Sequence, residues 1–408
     1  MFEISKKSKS IEGALKISGS KSESNRLLAL RGFASYFEIN NISDSDDTNA
    51  MISAMNSNQE KIDIGHAGTA MRFLTSYFSS IKNSSVILTG SKRMRERPIS
   101  ILVDALRELD VDISYLENEG YPPIKINGKV IKRKEVNLPA NVSSQYISSL
   151  MMLGVSLENG LVINLSTEIT SLPYIEMTKK IIERIGGSLK FKSNQILIDS
   201  LSNKKIPNQL VESDWSSASY FYSIVALSDL SDLTLYTYYK NSIQGDSDVV
   251  EIFKKFGVKT TYINNKIHLS KSDYKIEKKI SLDLLNNPDL AQTIVVTCLG
   301  LGIDCDLYGL QTLKIKETDR LKALKSEIEK FGVDKIEITE SSLHLENKSQ
   351  LKSNISIDTY DDHRMAMSFV PLSLLDPIKI NDPLVVTKSY VSFWDHLEKL
   401  GFEISKNK

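Results

Sequence analysis

The sequence predicts an α/β protein in which six repeated units are shared between two domains. The chain has 408 residues, too many for one small hydrophobic core. Two helical patterns recur along it with the same period of roughly 70 to 75 residues. Runs typical of β-strands, such as VILTG and KIHLS, lie between these helices. Helices and strands that alternate in a repeated order indicate an α/β fold.

The first recurring pattern is an amphipathic helix that is usually followed by Gly and then by a β-like run. The five examples end at Leu109, Ile185, Phe256, Phe331 and Leu400. The example in residues 316–332, KETDRLKALKSEIEKFG, has apolar residues at helical spacing, and Gly332 is its predicted C-terminal cap. One apolar face predicts that these helices cover a core.

The second recurring pattern is a short polar segment followed by a helix of small and apolar residues. Six segments fit, and they start at Ser20, His66, Asn141, Asp214, Asn287 and Tyr360. A helix that is apolar nearly all round is expected to be buried. Six buried helices define the six units.

Three units lie on each side of Glu212–Asp214, which is where we place the domain boundary. The first domain would span residues 20–212. The second would combine residues 1–19 with residues 213–408, and the chain start would join it as an edge strand. The period is too long for the usual open solenoids, so closed domains are expected.

The composition excludes several classes of function. The 51 basic and 51 acidic residues give no net charge, so a nucleic acid is not an expected partner. No apolar run approaches a membrane span, and the N-terminus lacks the apolar core of a signal peptide. Cys298 and Cys305 are expected to be buried thiols, which indicates a cytoplasmic protein. His66 and His363 lack a third ligand at useful spacing, so no metal site is expected.

Cations are concentrated near the starts of the buried helices and of the helix that follows Lys316. They are Lys21, Arg26, Arg72, Lys316, Arg320 and Arg364, and Arg97 in the segment RMRERP is added to them. A cation near a helix N-terminus is unfavourable unless an anion shares the site. A neutral protein with this pattern is predicted to have a basic cleft for a small substrate that carries phosphate and carboxylate groups.

Polar residues at the same helix starts also have an ordinary explanation as N-caps. Ser143, Ser216 and Asp289 could each accept a hydrogen bond from a free backbone N–H group. For Ser216 and Ser217 we favour capping. For Asp289 capping is one open explanation.

Eight segments together resemble the EPSP synthase family, the 3-phosphoshikimate 1-carboxyvinyltransferases. They are SGSKSESNR, AGTAMRFLT, LTGSKRMRERPI, SSQYISSLMML, PDLAQT, KETDRL, DDHRMAM and TKSY, in the family's order. The resemblance implies two similar domains, each of three βαβαββ-type units with buried parallel helices, an inverse α/β barrel. It also implies transfer of the enolpyruvyl group of phosphoenolpyruvate to the 5-hydroxyl of shikimate 3-phosphate, without a metal or organic cofactor. We expect the protein to act as a monomer.

The resemblance also implies the site residues. Those for shikimate 3-phosphate are Lys21, Ser22, Arg26, Ser143, Ser144, Gln145, Ser171, Asp289 and Lys316. Those for phosphoenolpyruvate are Lys21, Gly68, Arg97, Gln145, Arg320, Arg364 and Lys388. Asp289 would accept the hydroxyl proton, Glu317 would donate a proton to the methylene carbon, and Lys21 would be catalytic with them. His66, Leu172, Thr312 and Val391 depart from the family's common residues and put local ligand geometry in question.

Two alternatives remain open at this point. One is the sister enolpyruvyl transferase that acts on UDP-N-acetylglucosamine. It typically carries Cys in the loop where this chain has Lys92. The other is a non-catalytic repeat protein that binds a polyanion, which would need basic or aromatic residues spread over a face.

Overall fold

The computed structural model describes residues 1–139, 143–167, 172–201, 205–347 and 350–406. The chain divides into two compact units. The inner unit is the continuous stretch Gly19–Val211, and the outer unit combines Met1–Ser18 with Glu212–Lys408. That residues 20–212 and residues 1–19 with 213–408 form separate folding domains stays a prediction.

The helices and strands follow the predicted alternation. The helices are α1 (Lys21–Phe33), α2 (Asp46–Met55), α3 (Gly68–Ser80), α4 (Lys92–Arg95), α5 (Ser100–Glu108), α6 (Ser144–Gly154), α7 (Leu172–Arg184), α8 (Trp215–Leu227), α9 (Val249–Lys254), α10 (Ala291–Leu301), α11 (Arg320–Glu329), α12 (His363–Phe369) and α13 (Phe393–Lys399). The strands are β1 (Phe2–Ser5), β2 (Ser10–Leu15), β3 (Ile39–Asn40), β4 (Lys61–Asp63), β5 (Ser85–Thr89), β6 (Asp112–Tyr115), β7 (Ile124–Asn127), β8 (Glu135–Leu138), β9 (Leu161–Leu165), β10 (Leu189–Lys192), β11 (Gln195–Ile198), β12 (Gln209–Leu210), β13 (Leu230–Tyr236), β14 (Val258–Ile263), β15 (Lys266–Lys271), β16 (Lys279–Asp283), β17 (Asp304–Tyr308), β18 (Lys335–Ile338), β19 (Leu343–Glu346), β20 (Ser356–Ile357), β21 (Ile378–Ile380) and β22 (Glu403–Lys406).

In the described part of the chain, five four-stranded sheets repeat one arrangement. In β4-β5-β7-β6, the first two strands are parallel and the remaining pairs are antiparallel. The sheets β8-β9-β11-β10 and β16-β17-β19-β18 have the same order, with one helix after each of their first two strands. This is the βαβαββ unit, and it confirms the predicted α/β fold class.

The chain start contributes to two sheets of the outer unit. β2 is an edge strand and pairs in parallel with β13, as predicted. β1 instead lies inside its sheet, between β21 and β22, and pairs antiparallel with both, so the edge position was wrong for this strand. Each of the two strands thereby supplies the fourth member of a four-stranded sheet.

The first of the six repeated units, at the start of the inner unit, is smaller than the other five. Residues 19–60, all described, contain α1, β3 and α2 but no terminal hairpin. β3 pairs in parallel with β12, which comes from the far end of the inner unit, and the two form a two-stranded sheet.

The helices of the second pattern are buried, as predicted. α1, α3 and α6 pack together in the inner unit, and α8, α10 and α12 pack together in the outer unit. Small residues allow close approach: a methyl group on Gly300 would lie 2.8 Å from side chains of both Leu227 and Leu372. Hydroxyl groups pair between these helices, as in Thr297 with Ser223 at 2.7 Å. Such hydroxyl pairs satisfy part of the polar surface inside the bundle, whereas the side-chain amides of Asn25 and Gln292 are buried there without a hydrogen-bond partner among the described residues.

The helix predicted in residues 316–332 is α11. Asp319 is its N-cap and accepts a hydrogen bond from the backbone N–H of Lys322 at 3.3 Å. Gly332 has a φ of +74°, a left-handed conformation that suits glycine after a helix. The charged segment therefore lies at the start of a helix, as predicted, whereas α11 ends at Glu329 with Lys330 as its C-cap, so Gly332 lies two residues beyond the cap position predicted for it.

The position of β1 generates a stability prediction. Ile4 is fully buried between Ile378 and Ile404 of the neighbouring strands. Ile4→Ala should lower the free energy of unfolding of the outer unit by about 2–5 kcal/mol, because it leaves a cavity in that core. Both tryptophans of the chain, Trp215 and Trp394, belong to this unit, so tryptophan fluorescence in urea reports its unfolding.

Glu3→Gln is the matched control, since Glu3 is less buried and adjacent to Ile4 in the same strand. It should change the free energy of unfolding by less than about 0.5 kcal/mol. An unchanged urea midpoint for Ile4→Ala would mean that β1 does not contribute to the core of the outer unit.

Candidate active site

Arg320 is the centre of a charged cluster in the outer unit. It opens α11, and its side chain is only 2% exposed. Its Nε donates to Asp362 Oδ2 at 2.7 Å, its Nη1 to Asp289 Oδ1 at 3.0 Å and its Nη2 to Glu317 Oε2 at 2.9 Å. One planar guanidinium thus fixes three carboxylates around itself.

Asp289 is the most heavily paired carboxylate of this cluster. Besides Arg320, it lies 3.0 Å from Arg364 Nη2 and 3.5 Å from Lys316 Nζ. Burial alone would raise the pKa of Asp289, but the positive charges of Arg364, Lys316 and Arg320 outweigh burial and hold this pKa well below its usual range. Asp289 is therefore ionised at neutral pH.

Asp289 does not stand at the capping position of its helix. It lies in a 3₁₀ turn, Pro288–Leu290, and the N-cap position of α10 is held by Leu290. Its carboxylate instead accepts hydrogen bonds from Arg320 and Arg364. The capping explanation for Asp289 is wrong because the side chain is turned to the cations.

Glu317 and Lys388 complete the cluster. Glu317 Oε1 lies 3.0 Å from Lys388 Nζ, which comes from the 3₁₀ helix Pro383–Lys388. Both side chains are largely buried, at 14% and 10% exposure. Arg320 therefore joins the two predicted acid–base residues, Glu317 and Asp289, through one side chain.

Arg364 is held at the start of α12 by the N-cap of that helix. Asp362 accepts from the backbone N–H of Arg364 at 2.9 Å, and it also accepts from Arg320. Asp362 belongs to the segment DDHRMAM but was not among the predicted site residues. Its position in the DDHR segment was the available signal.

Ser216 and Ser217 are not caps, so that preference was wrong. The N-cap of α8 is Asp214, whose carboxylate accepts from the backbone N–H of Ser217 at 2.8 Å. The Ser216 hydroxyl donates to Asp246, a buried carboxylate that sequence reasoning missed. Asp246 lies in a loop outside both helical patterns, so the repeat gave no signal for it.

Arg26 is the central cation of the inner unit. It is 2% exposed, and its Nε donates to Thr178 Oγ1 at 2.7 Å. Its terminal nitrogens donate to the carbonyl of Ser22 at 2.9 Å, to Ser148 Oγ at 3.3 Å and to the carbonyl of Tyr174 at 3.3 Å. These acceptors are all uncharged. Burial lowers the pKa of the Arg26 guanidinium to about 10, so it stays charged at neutral pH.

Lys21 is the first residue of α1, one turn before Arg26. Its Nζ lies 3.4 Å from Asp47 Oδ2, and Asp47 is nearly fully buried in the first turn of α2. Ser22 follows Lys21, and its carbonyl accepts from Arg26. These three predicted residues are brought together at the start of one helix.

Gly68 and Arg97 touch. A methyl group placed on Gly68 would lie 2.5 Å from Arg97 Nη1. The φ of Gly68 is not in the left-handed region, so glycine is needed here for the close approach of Arg97 and not for backbone conformation. Gln145 Nε2 donates to Thr69, the next residue, at 3.2 Å, which brings Gln145 to the same helix start.

The segment before Gln145 caps its helix. Ser143 is the N-cap of α6 and accepts from the backbone N–H of Gln145 at 3.3 Å, and Ser144 is buried beside it. Ser171 lies outside the described residues.

Of the departures from the family pattern, His66, Leu172 and Val391 are exposed, whereas the Oγ1 atom of Thr312 is buried.

Comparisons with known proteins bear out the resemblance. The family model for EPSP synthase (3-phosphoshikimate 1-carboxyvinyltransferase) matches residues 53–397. The 3-phosphoshikimate 1-carboxyvinyltransferase of Bacteroides fragilis is 45% identical over 398 residues, which cover 97% of this chain and 96% of the relative. The enzyme of the same name from Haemophilus influenzae is 35% identical over 431 residues, which cover 96% of each chain.

Two solved structures share the fold. An EPSP synthase from Acinetobacter baumannii superposes with a TM-score of 0.78 at 22% identity over 99% of both chains. An enolpyruvyl transferase from Streptomyces tendae superposes with a TM-score of 0.73 at 12% identity over 99% of this chain and 98% of that one. With the family model and the curated relatives, these likenesses show that the chain belongs to the EPSP synthase family.

Proposed function

We propose that this protein transfers the enolpyruvyl group of phosphoenolpyruvate to the 5-hydroxyl of shikimate 3-phosphate and releases phosphate. The observation that carries the proposal is the Arg320 cluster, in which Asp289 and Glu317 are bonded to one guanidinium and surrounded by cations. The reaction needs a base for the hydroxyl proton, an acid for the methylene carbon and positive charge for the phosphate that leaves. The proposed reaction uses neither a metal nor an organic cofactor.

Phosphoenolpyruvate would be bound in the outer unit by side chains that now hold carboxylates of the protein. In the outer unit we propose Arg320, Arg364 and Lys388, whose present partners are Asp289, Asp362 and Glu317. In the inner unit we propose Lys21, Gly68, Arg97 and Gln145. Arg forks bind carboxylate and phosphate in two-point contacts, so a substrate with both groups can replace part of the internal pairing.

Shikimate 3-phosphate would be bound mainly by the inner unit. Its ligands there would be Lys21, Ser22, Arg26, Ser143, Ser144, Gln145 and Ser171, with Asp289 and Lys316 contributed by the outer unit. Arg26 supports this part of the proposal because its hydrogen bonds in the described residues go to uncharged acceptors. Its charge is therefore left to favour a nearby phosphate.

Asp289 would act as the proton acceptor and Glu317 as the proton donor. With three cations around it, Asp289 is ionised but weakly basic. A substrate anion that shares Arg364 and Lys316 would weaken their hold on Asp289 and raise its basicity. The substrate itself would thus prepare the base, while Arg320 keeps the two carboxylates in fixed positions.

We also propose that the protein acts as a monomer in the cytoplasm, with small molecules as its only partners. Cys298 and Cys305 support the reducing compartment, because both are free and buried. No helix in the described part of the chain is long and apolar enough to span a membrane.

Phosphate release tests the function and separates it from its rivals. Purified protein should release phosphate from phosphoenolpyruvate only when shikimate 3-phosphate is also present. Release with UDP-N-acetylglucosamine in its place would support the sister transferase. No release with either acceptor would leave the non-catalytic scaffold as the better explanation.

Asp289→Asn should lower kcat by about 10²-fold or more, the usual scale for losing a general acid or base. The amide keeps a similar shape but cannot take up the hydroxyl proton. The pairing with Lys316, Arg320 and Arg364 now predicts a lower melting temperature as well.

Asp306→Asn is the matched control for that loss of an ion pair. Asp306 lies in the same unit and pairs with Lys279 and His344, outside the Arg320 cluster. It should lower the melting temperature while kcat stays near that of the wild type. If Asp289→Asn also keeps near-normal kcat, the catalytic role of Asp289 is wrong.

Gly68→Ala should raise KM for phosphoenolpyruvate, because the added methyl would push the Arg97 guanidinium aside. Glyphosate, which competes for this pocket in the family, should lose more affinity, with its inhibition constant rising by at least about tenfold, or 1.4 kcal/mol. Steady-state kinetics with and without glyphosate measure both effects.

A double-mutant cycle shows whether the methyl acts through Arg97. In an Arg97→Ala background, Gly68→Ala should have little further effect on KM for phosphoenolpyruvate. Gly65→Ala is a control, since Gly65 has a φ of +56° with no atom near its added methyl, and should affect stability alone. Equal effects of Gly68→Ala in both backgrounds would exclude displacement of Arg97.

A further inference from the structure

Asp246 is a buried carboxylate that the proposed mechanism does not use. It is 6% exposed and lies in the 3₁₀ turn Gly245–Asp248, between β13 and α9. Asn287 donates from its side chain to the carbonyl of Gly245 at 2.7 Å, so this turn is fixed to the segment that carries Asp289. Asp246 therefore has a defined position beside the Arg320 cluster.

The Ser216 hydroxyl links Asp246 to Arg364. It donates to Asp246 Oδ2 and accepts from Arg364 Nη2 at 3.4 Å. A hydroxyl has one proton, so donation to Asp246 leaves its lone pairs free for the guanidinium. The same Nη2 atom donates to Asp289 Oδ2 at 3.0 Å, and Nη1 donates to the Asp289 carbonyl at 3.2 Å. Arg364 is thus held between Asp289 and Ser216.

The cluster contains four cations and three carboxylates among the described residues. The cations are Lys316, Arg320, Arg364 and Lys388, and the carboxylates are Asp289, Glu317 and Asp362. With Asp289, Glu317 and Asp362 all ionised, before Glu317 takes up the proton that it would donate, the cluster is positive by one charge without Asp246 and neutral when Asp246 is ionised. The charge of Asp246 therefore decides whether the cluster attracts a further anion.

We propose that Asp246 is a positioning residue, which holds the Arg364 guanidinium through the Ser216 hydroxyl in the orientation that binds phosphoenolpyruvate. This inference rests on the proposed function. Asp246 touches Ser216, which stands between it and Arg364, so it acts on substrate affinity and not on the reacting atoms. Removing the Asp246 carboxylate should raise KM for phosphoenolpyruvate far more than KM for shikimate 3-phosphate.

The proton of Asp246 adds a pH dependence to this role. Burial and the neighbouring Asp289 raise the pKa of Asp246 to about 7, against the opposing effects of Arg364 and Ser216, and Asp214 raises it slightly further. Below that pH Asp246 is neutral and the cluster is positive. Above it Asp246 is ionised, and the extra negative charge weakens binding of an anion. KM for phosphoenolpyruvate should therefore rise as the pH increases through about 7.

Steady-state kinetics of three variants test the inference. Asp246→Ala and Ser216→Ala should each raise KM for phosphoenolpyruvate by at least about fivefold, with KM for shikimate 3-phosphate changed by less than about twofold. Asp246→Asn keeps an oxygen that can accept from Ser216, so its KM below pH 7 should stay near the wild-type value. The ratio of wild-type KM to Asp246→Asn KM should then rise with pH, and this ratio cancels the titration of the substrate itself.

Glu327→Gln is the control for removing a buried carboxylate. Glu327 is fully buried in the same unit and pairs with Lys330 and Tyr360, outside the cluster. It should lower the melting temperature without changing KM for phosphoenolpyruvate. If Asp246→Ala behaves like this control, or if the KM ratio does not vary with pH, the inference is wrong. If Asp246→Ala does not fold, KM of Ser216→Ala for phosphoenolpyruvate decides whether the Ser216 hydroxyl positions Arg364.

The wild-type assay separates this inference from the proposed function. Wild-type protein that releases no phosphate would overturn the proposed function, and the inference with it. Active wild-type protein whose variants show no selective loss of phosphoenolpyruvate affinity would overturn the inference alone.

Discussion

The buried guanidinium of Arg320 is the interaction on which the outer site depends. Burial acts to lower its pKa, but Asp362, Glu317 and Asp289 more than offset that effect and raise it. A buried charge is tolerated only when it is paired and hydrogen-bonded, and here three carboxylates satisfy one planar donor. The same bonds that make Arg320 tolerable fix the spacing of the two proposed acid–base groups. The hydrogen bonds of Arg320 therefore both stabilise the buried charge and position the proposed acid–base residues.

The buried cation of the inner unit, Arg26, has uncharged hydrogen-bond acceptors instead of carboxylates among the described residues. Arg26 is as buried as Arg320, yet it donates to hydroxyl and carbonyl oxygens, and the nearby buried Glu23 pairs with Arg184 at 2.6 Å. Neutral acceptors orient a guanidinium without cancelling its charge. The inner arrangement suits the capture of a phosphate that does not react, whereas the balanced outer cluster suits groups that must exchange protons.

The repeat made most of the fold predictable, because buried and amphipathic helices differ in composition over many residues. The helix in residues 316–332 was predicted from its apolar spacing, but its end was misplaced, because Lys330 and not Gly332 is the C-cap. The interior position of β1 could not be predicted, because pairing with β21 and β22 joins opposite ends of the chain. Ser216 was misread for a similar reason, since its partner Asp246 is brought to it only by tertiary packing.

Substrate binding in such a site is an exchange of partners. The cations near the starts of α11 and α12 already hold carboxylates, so an incoming anion must compete with Asp289, Asp362 and Glu317. A ligand with one weak charge gains little from that exchange, because it leaves a carboxylate of the protein less well paired. A ligand with both a phosphate and a carboxylate can bind several cations at once and so replace the hydrogen bonds that the protein carboxylates lose. The internal pairing thereby favours polyanionic substrates over single small anions, and it does so before any shape recognition is considered.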